Sequence, residues 1–326
     1  MQDANPLRRK LLLACAGIAL SSGSPALFAQ AANDWPAKPI TWLVGWGAGG
    51  SADVATRLVA RRLEARLGQP IVVENRPGAS GTIALQAAAR AAADGYTLIT
   101  IPGPLLTTIP APSIGKEFTG VAQLARGPMV LVAQASAPWP TLKALLADAK
   151  RRPGALSYAS SGNGSIQHLA GELLNQIAGT KMLHVPYKGG TQAVSDVIGG
   201  AVPLGLLGIT PVLPQIRAGK LKAYAVSTAS RVEALPNVPT FDEAGVPGFE
   251  ASQWFVVAAP RGVPPERIHK LNTAISEILG QPEIKEGYAT FGVSPMPASA
   301  EETTKFVIEE QKRWSALAKK ANLTLD

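Results

Sequence analysis

The sequence predicts an α/β fold of two domains. Short β-branched runs alternate with helical patterns, which is typical of a mainly parallel sheet with helices on both faces. The alternation is broken near residues 130–135 and then restarts, and a second return near 250 precedes the helices that close the chain. We therefore expect a discontinuous domain 1 over 32–133 and 255–326, with domain 2 inserted over 134–254.

The first 31 residues predict an export signal and are left out of the fold. Arg8–Lys10 are basic, Leu11–Leu20 are apolar, and Ala29–Ala31 supply the small-x-small pattern that a signal peptidase cleaves. We expect cleavage near residues 29–31 and a periplasmic protein. Only four apolar residues lie between Lys10 and Cys15, a run that is short for a lipoprotein signal, so we expect no lipid anchor.

Composition excludes several classes of function. Cys15 is the only cysteine, so the mature chain is expected to have no disulfide, thiolate metal site or cysteine nucleophile. The formal charge is +8, and a positive potential favours anionic ligands. The basic residues are dispersed along the chain, which argues against a nucleic-acid partner. We expect a monomer.

The periodicity assigns each element in order. We predict strands at 40–44, 71–74, 97–101, 129–133, 156–160, 182–186, 202–207, 221–227 and 254–258. We predict helices at 53–67, 82–92, 141–150, 166–177, 193–198, 212–218, 265–279, 282–291 and 300–321.

A glycine-rich loop follows the first strand. Gly45, Gly47 and Gly50 form a G-x-G-x-x-G, and Glu74 ends the next strand, which would suit a dinucleotide-binding oxidoreductase. Against this reading, Ser51 and Asp53 are helix-capping residues that indicate a helix start after the last glycine. The loop is then either an anion site at a helix N-terminus or a simple turn.

Three further loops follow the same plan of strand, glycine and helix start. They are Ser160–Ser165, the segment 184–190 with Lys188, and Gly208–Pro211. Loops at the carboxyl ends of strands from two domains can face each other across a cleft and hold a small acid.

Candidate catalytic side chains are few. Ser161 and Ser165 could be nucleophiles of an exported hydrolase, but no G-x-S-x-G elbow is present. His168 and Glu172, four residues apart on a helix, are expected to form a surface pair. We predict no catalytic residue, no metal site and no cofactor.

Short motifs in a fixed order along the chain resemble the Bug family, the solute receptors of tripartite tricarboxylate transporters. The motifs lie at 49–57, 74–81, 94–98, 161–172, 185–189, 235–240, 254 and 259–264. In two places the chain departs from the family pattern. Gly45, Gly47 and Ala48 stand where prolines are usual, and the segment after Ile101 is short.

The resemblance implies a periplasmic-binding-protein fold of type II-like form, with a hinge and an interdomain ligand cleft. It implies a receptor that captures a small organic carboxylate (a dicarboxylate, an amino acid or an aromatic acid) for uptake or sensing. The partners would be membrane subunits of a transporter or a sensor protein. The implied ligand-binding residues are Trp46, Gly47, Ala48, Gly49, Gly50, Ser51, Asp53, Ser161, Gly162, Asn163, Gly164, Ser165, Lys188 and Thr210. Of these, Lys188 and Thr210 would read the distal end of the ligand.

Overall fold

The computed structural model describes residues 35–103 and 111–320. The predicted signal peptide lies outside these residues. Residues 35–37 belong to a unit separate from the rest, and the fold below is that of the described residues from Lys38 onward. Within the described ranges, no helix is both long and apolar enough to cross a membrane.

The first sheet is built on parallel strands. The strands β1 (Ile40–Val44), β2 (Ile71–Asn75) and β3 (Thr97–Pro102) run parallel in the order β2-β1-β3, each within one residue of its predicted bounds. The later strand β9 (Ser252–Pro260) lies antiparallel beside β3. The alternation of strand and helix in the sequence therefore gives a mixed sheet, with parallel pairing from its β2 edge to β3 and antiparallel pairing beyond β3.

A single long strand, β4 (Phe118–Gln134), belongs to both sheets. Its first part pairs with β9 as far as Pro128, and from Met129 it pairs with β7 (Leu204–Gly208) and β8 (Leu221–Val226). Only the second part was expected, as 129–133. Glycine and proline weaken the strand signal in the first part, and the pairing register shifts there between Gly120 and Ala122.

The second sheet continues from β7. The strands β5 (Ser157–Ser160) and β6 (Leu183–Pro186) lie beyond it, both parallel to β7, and complete the order β4-β7-β5-β6. A two-residue strand, β10 (Ser294–Pro295), pairs with β4 in the first sheet.

Helices connect these strands. They are α1 (Ser51–Leu67), α2 (Thr82–Ala89), α3 (Leu142–Arg151), α4 (Ile166–Ala178), α5 (Gly190–Ile198), α6 (Ile209–Arg217), α7 (Pro265–Gly280), α8 (Pro282–Thr290) and α9 (Ala300–Lys320). The start of α6 is three residues earlier than predicted. Pro211 is tolerated there because the first turn of a helix needs no N–H donor.

Each sheet has its own apolar core, and the last helix contacts both. Leu43, Ile99 and Trp254 lie in the first core, and Met129 and Tyr158 lie in the second. Helix α9 places Val307 in the first core and Trp314 in the second. The Glu310 carboxylate accepts a hydrogen bond from the indole of Trp254 in β9 (3.1 Å), which joins this helix to the first sheet, and another from Trp314 one turn later in the same helix (3.3 Å).

Candidate ligand-binding site

Four helices begin around one small cavity. Each follows the carboxyl end of a strand: α1 after β1, α4 after β5, α5 after β6 and α6 after β7. The first residues or N-caps of all four line a space of about 30 Å³, through Gly50, Ser165, Gly190 and Gly208. The loops that the sequence predicted to face one another therefore do so.

The first glycine loop is fixed from beneath by Asp53. This side chain is 3% exposed and accepts hydrogen bonds from Gly49 N (3.0 Å), Arg57 Nε (2.9 Å) and Asn75 Nδ2 (2.9 Å). Asn75 also donates to the carbonyl of Trp46 at 2.9 Å. Asp53 therefore shapes the loop, and it does not line the cavity.

Trp46 rests on a turn in which every residue has positive φ. The turn is Gly78–Gly81, with φ of 44° at Ala79 and 52° at Ser80. These values are unfavourable for residues with a side chain. A Cβ on Gly81 would lie 2.5 Å from Trp46 Cη2, so the indole packs directly on that glycine. The ring is 7% exposed, lines the cavity, and keeps its N–H without a partner among the described residues.

In the second glycine loop, two serines face the cavity, whereas two glycine N–H groups form hydrogen bonds within the protein. Ser161 and Ser165 line the cavity together with Gln167, and Ser161 Oγ donates to Gln167 Oε1 at 2.5 Å. The N–H groups of the glycines bond elsewhere, Gly162 to Ser160 Oγ (3.1 Å) and Gly164 to His168 Nδ1 (3.0 Å). These two amides are thus already used within the protein.

The expected surface pair of His168 and Glu172 is wrong. His168 is 6% exposed, and its ring stacks on His184 with centroids 3.8 Å apart. Glu172 accepts a hydrogen bond from the Tyr158 hydroxyl at 2.7 Å. Burial lowers the pKa of His168 to about 4, and burial together with the neighbouring His168 lowers the pKa of His184 to about 3. The helix face that carries His168 is packed under the loop, which the i, i+4 spacing alone does not reveal.

The other two predicted loops, 184–190 and Gly208–Pro211, pack against the first glycine loop and close the cavity. A Cβ on Gly189 would be 3.2 Å from Gly47 N, and Thr191 Oγ1 donates to the Ala48 carbonyl at 3.4 Å. Gly208 packs between Ser51 and Gln253, whose side-chain oxygens leave no room for a Cβ. The two sheets thus meet through their loops as well as through β4.

The structure brings some of the predicted residues to the cavity and places others around it. Trp46, Gly50, Ser51, Ser161 and Ser165 line it. The remaining predicted residues lie outside the lining: Gly47, Ala48, Gly49, Asp53, Gly162, Asn163, Gly164, Lys188 and Thr210. Lys188 is exposed, and Thr210 is buried with its hydroxyl donating to the Phe291 carbonyl at 3.4 Å.

Several lining residues were missing from the sequence prediction. They are Ala52, Pro102, Gln167, Gly190, Gly208, Pro211 and Gln253. Gly190, Gly208 and Pro211 lie in loops that the sequence identified, so the strand–glycine–helix pattern could have found them. Gln253 carried no signal, because it is one polar residue in a strand whose partner is distant in sequence.

No charged side chain lines this cavity among the described residues. The electrostatic field comes instead from the four helix N-termini, each carrying a partial positive charge of roughly +0.5. Free backbone N–H groups at such ends bind carboxylate or phosphate oxygens. The arrangement suits an anion, and the hydroxyls of the candidate nucleophiles Ser161 and Ser165 donate to Gln167 Oε1 and to the Gly162 carbonyl, and not to a histidine or a carboxylate.

The contacts at this site do not support the hydrolase or the dinucleotide-binding oxidoreductase hypothesis. Ser160 Oγ lies 2.6 Å from His184 Nε2, yet Ser160 is fully buried and lies outside the cavity lining. Glu74 is bound by Arg76 at 2.7 Å, and α1 begins after the last glycine of its loop, unlike a dinucleotide fingerprint. The described residues contain no cluster of potential metal ligands.

A larger cavity of about 590 Å³ lies on the other face of β9. Ser252 lines the larger cavity and Gln253 the smaller, and consecutive strand residues point to opposite faces. Helices contribute C-terminal residues here, Arg217 from α6 and Ala289 from α8. The dipole ends are therefore negative, so this space lacks the helix N-termini of the smaller cavity. Its charge comes from side chains of both signs: Arg126, Arg217, Arg231, Glu233 and Glu250.

The chain is similar to known solute receptors over almost its whole length. A family model described as "Tripartite tricarboxylate transporter family receptor" matches residues 55–323. Protein BugT of Bordetella pertussis is 37% identical over 322 residues, which cover 96% of this chain and 98% of BugT.

Solved structures agree with the fold. A periplasmic transporter matches with a TM-score of 0.85 and 36% identity, covering 90% of this chain and all of that chain. An R. palustris protein determined with adipate gives 0.85 and 35%, over 88% of this chain and 98% of that one. MatC from Rhodopseudomonas palustris, with bound malate, gives 0.81 and 32%, over 87% and 99%.

Proposed function

Because the chain belongs to the tripartite tricarboxylate transporter receptor family, which has the periplasmic-binding-protein fold, we propose that it captures a small organic carboxylate in the cavity between its glycine loops. The ligand is bound reversibly and released unchanged. The family is one of binding receptors, and among the described residues no histidine, cysteine, lysine or carboxylate side chain lines the cavity.

The convergence of four helix N-termini on a cavity without charged side chains carries this proposal. A carboxylate placed there meets backbone N–H donors and positive dipole ends. The first and second glycine loops, Trp46–Ser51 with Asp53 and Ser161–Ser165, form the two sides. Gln167, Gln253 and the Trp46 indole N–H supply neutral groups that can read the rest of the ligand.

Binding requires the two sides to separate. A volume of about 30 Å³ is far below the roughly 300–1,000 Å³ of ordinary small-molecule sites. We propose that the two sheets are the two domains and that the hinge lies where β4 changes partners, between Pro128 and Met129, and at the start of β9. Hinge closure then brings Thr191 against Ala48 over the bound ligand.

The ligand class follows from relatives and from the lining. Relatives were determined with adipate and with malate, which makes dicarboxylates the first candidates, before amino acids and aromatic acids. Lys188 and Thr210 stay predicted contacts of the distal end. We place the receptor in the periplasm, working with transporter membrane subunits or a sensor protein, because of its family and of the export signal predicted in residues 1–31.

Titration calorimetry of the mature chain tests the proposal. We expect one-to-one binding of at least one member of a panel of malate, adipate, glutamate and benzoate, with the ligand recovered unchanged. A panel without any binder, a recovered reaction product, or tight NAD binding would overturn it.

Two substitutions at one residue test where the carboxylate lies. Ser51 is the first residue of α1 and lines the cavity. Ser51→Asp places a negative charge at that helix start and should abolish binding, whereas the neutral Ser51→Asn should retain it within several-fold. Equal affinities in the two variants would show that the ligand carboxylate does not lie at the start of α1.

A further inference from the structure

Two stacked imidazoles lie beneath the second glycine loop. His168 is the third residue of α4 and His184 the second of β6, with their ring planes 12° apart and centroids at 3.8 Å. Neither ring lines the ligand cavity, so direct ligand contact does not account for them. Their contacts run instead to the loop, from His168 to a backbone N–H and from His184 to the Ser160 side chain.

His168 acts as a hydrogen-bond acceptor. Gly164 N–H donates to its Nδ1 at 3.0 Å, and an imidazole nitrogen accepts only when it carries no proton. The ring must therefore be neutral, with its hydrogen on Nε2. Gly164 has φ of 68°, a conformation that this bond helps to hold.

His184 reaches the other glycine through a serine. Its Nε2 lies 2.6 Å from Ser160 Oγ, and that oxygen accepts the Gly162 N–H at 3.1 Å. The two rings thus hold alternate amides of the loop. Because Gly162 and Gly164 are held from beneath, the residues on either side, Ser161 and Ser165, face the cavity.

We propose that the His168–His184 pair is the positioning element of the second glycine loop, and that His168 acts through its Nδ1 acceptor. This inference rests on the proposed function for its effect on ligand binding. Its structural part, the restraint of Gly164, can be measured without any ligand.

Two variants separate the acceptor from the ring. His168→Asn keeps an acceptor oxygen at the position of Nδ1 but removes most of the stacked ring. His168→Phe keeps an aromatic ring against His184 but has no acceptor. If His168 only fills space, His168→Asn should be the more damaging variant. If His168 positions the loop through its Nδ1 acceptor, His168→Phe should be the more damaging one.

The first readout is amide hydrogen exchange at neutral pH, resolved to Gly164. We expect exchange about tenfold faster in His168→Phe than in the wild type, and near wild-type exchange in His168→Asn. Wild-type protection in His168→Phe, or equally fast exchange in both variants, would overturn the inference. Thermal melting confirms that both variants are folded, and Ser160→Ala should accelerate exchange at Gly162 independently.

The second readout is affinity for malate and adipate. We expect His168→Phe to bind about tenfold more weakly and His168→Asn to bind like the wild type. If the wild type binds neither acid, the proposed ligand class fails while the exchange result still decides the inference. If the wild type binds and His168→Phe binds equally well, the inference fails and the receptor function stands.

Discussion

The hydroxyl of Ser80 lies against the backbone of Gly162, where a Cβ atom would be only 2.6 Å from Ser80 Oγ. Ser80 belongs to the turn under Trp46, and Gly162 belongs to the second glycine loop. The contact therefore joins the two sides of the proposed site at a point where neither can carry more atoms.

Gly162→Ala should weaken ligand binding by at least tenfold. The added methyl group meets Ser80, and the φ of 133° at Gly162 is unfavourable for alanine. Calorimetry measures the affinity, and Gly154→Ala is the control. Gly154 has φ of 78° but open space around it, so that variant should lose about 1 kcal/mol of stability and no affinity. Unchanged affinity in Gly162→Ala would show that closure does not use this contact.

Ser80→Gly should stabilise the fold. Ser80 has φ of 52°, and a left-handed conformation costs a residue with a Cβ about 1 kcal/mol. We expect the free energy of unfolding from urea titration to rise by about that amount. Ser80→Ala retains the Cβ and should show no gain. A gain in both variants would trace the effect to the hydroxyl and not to backbone strain.

Asp53→Asn should loosen the first loop. The buried carboxylate accepts from Gly49, Arg57 and Asn75, and an amide would turn a donor toward at least one of them. Loss of charged hydrogen bonds predicts a destabilisation of about 2 kcal/mol, together with weaker ligand binding. Glu277→Gln breaks an exposed ion pair with Arg66 and should change stability by under about 1 kcal/mol. Similar losses in the two variants would contradict a special role for Asp53.

Trp46→Phe should weaken binding several-fold. The indole N–H has no partner within the described structure and the ring lines the cavity, so a ligand oxygen can accept from it. A neutral hydrogen bond contributes about 1 kcal/mol. The control is Trp139→Phe, because the Trp139 indole donates to Asp148, away from the cavity. Full affinity in Trp46→Phe would leave the indole as a packing group only.

Acid should destabilise the protein through the histidine pair. Their pKa values, about 4 and about 3, lie below the 6.5 of an unfolded histidine. The free energy of unfolding should therefore be constant with respect to these two groups above pH 6.5 and should fall as the pH drops toward 4. Over that range the unfolded chain binds protons on these histidines that the folded chain does not. At 1.36 kcal/mol per pKa unit, His168 alone accounts for about 3 kcal/mol.

Urea titrations at pH 7 and pH 4.5 measure this loss. The groups that face the pair are Tyr158, Ser160 and, through the Tyr158 hydroxyl, Glu172. In His168→Asn the difference between the two pH values should shrink by a corresponding amount. An identical difference in wild type and variant would assign the acid sensitivity to carboxylates elsewhere.

Local patterns predicted most elements and both central loops. Strand β1 was predicted to the residue and α4 to within one, because glycine turns and capping serines mark their ends. The first part of β4 was missed because glycine and proline interrupt it, and its pairing with β9 joins residues more than a hundred positions apart.

The candidate site was predicted less completely for the same reason. The loops carry short glycine signals, but Gln253 and Gln167 reach the cavity only through tertiary packing. Likewise, no local pattern says that the His168 face of α4 turns inward. Its partner His184 is on another strand, and the stacking depends on how α4 lies over the sheet.

The four helix starts have a consequence for ligand preference. A charge supplied by backbone geometry persists whatever side chains surround it, so substitutions at positions such as Gln167, Gln253 or Pro211 leave the anchor for the acid group intact. For the proposed receptor, single replacements at those positions can therefore change which ligand is preferred without removing the helix N-termini that bind an acid group.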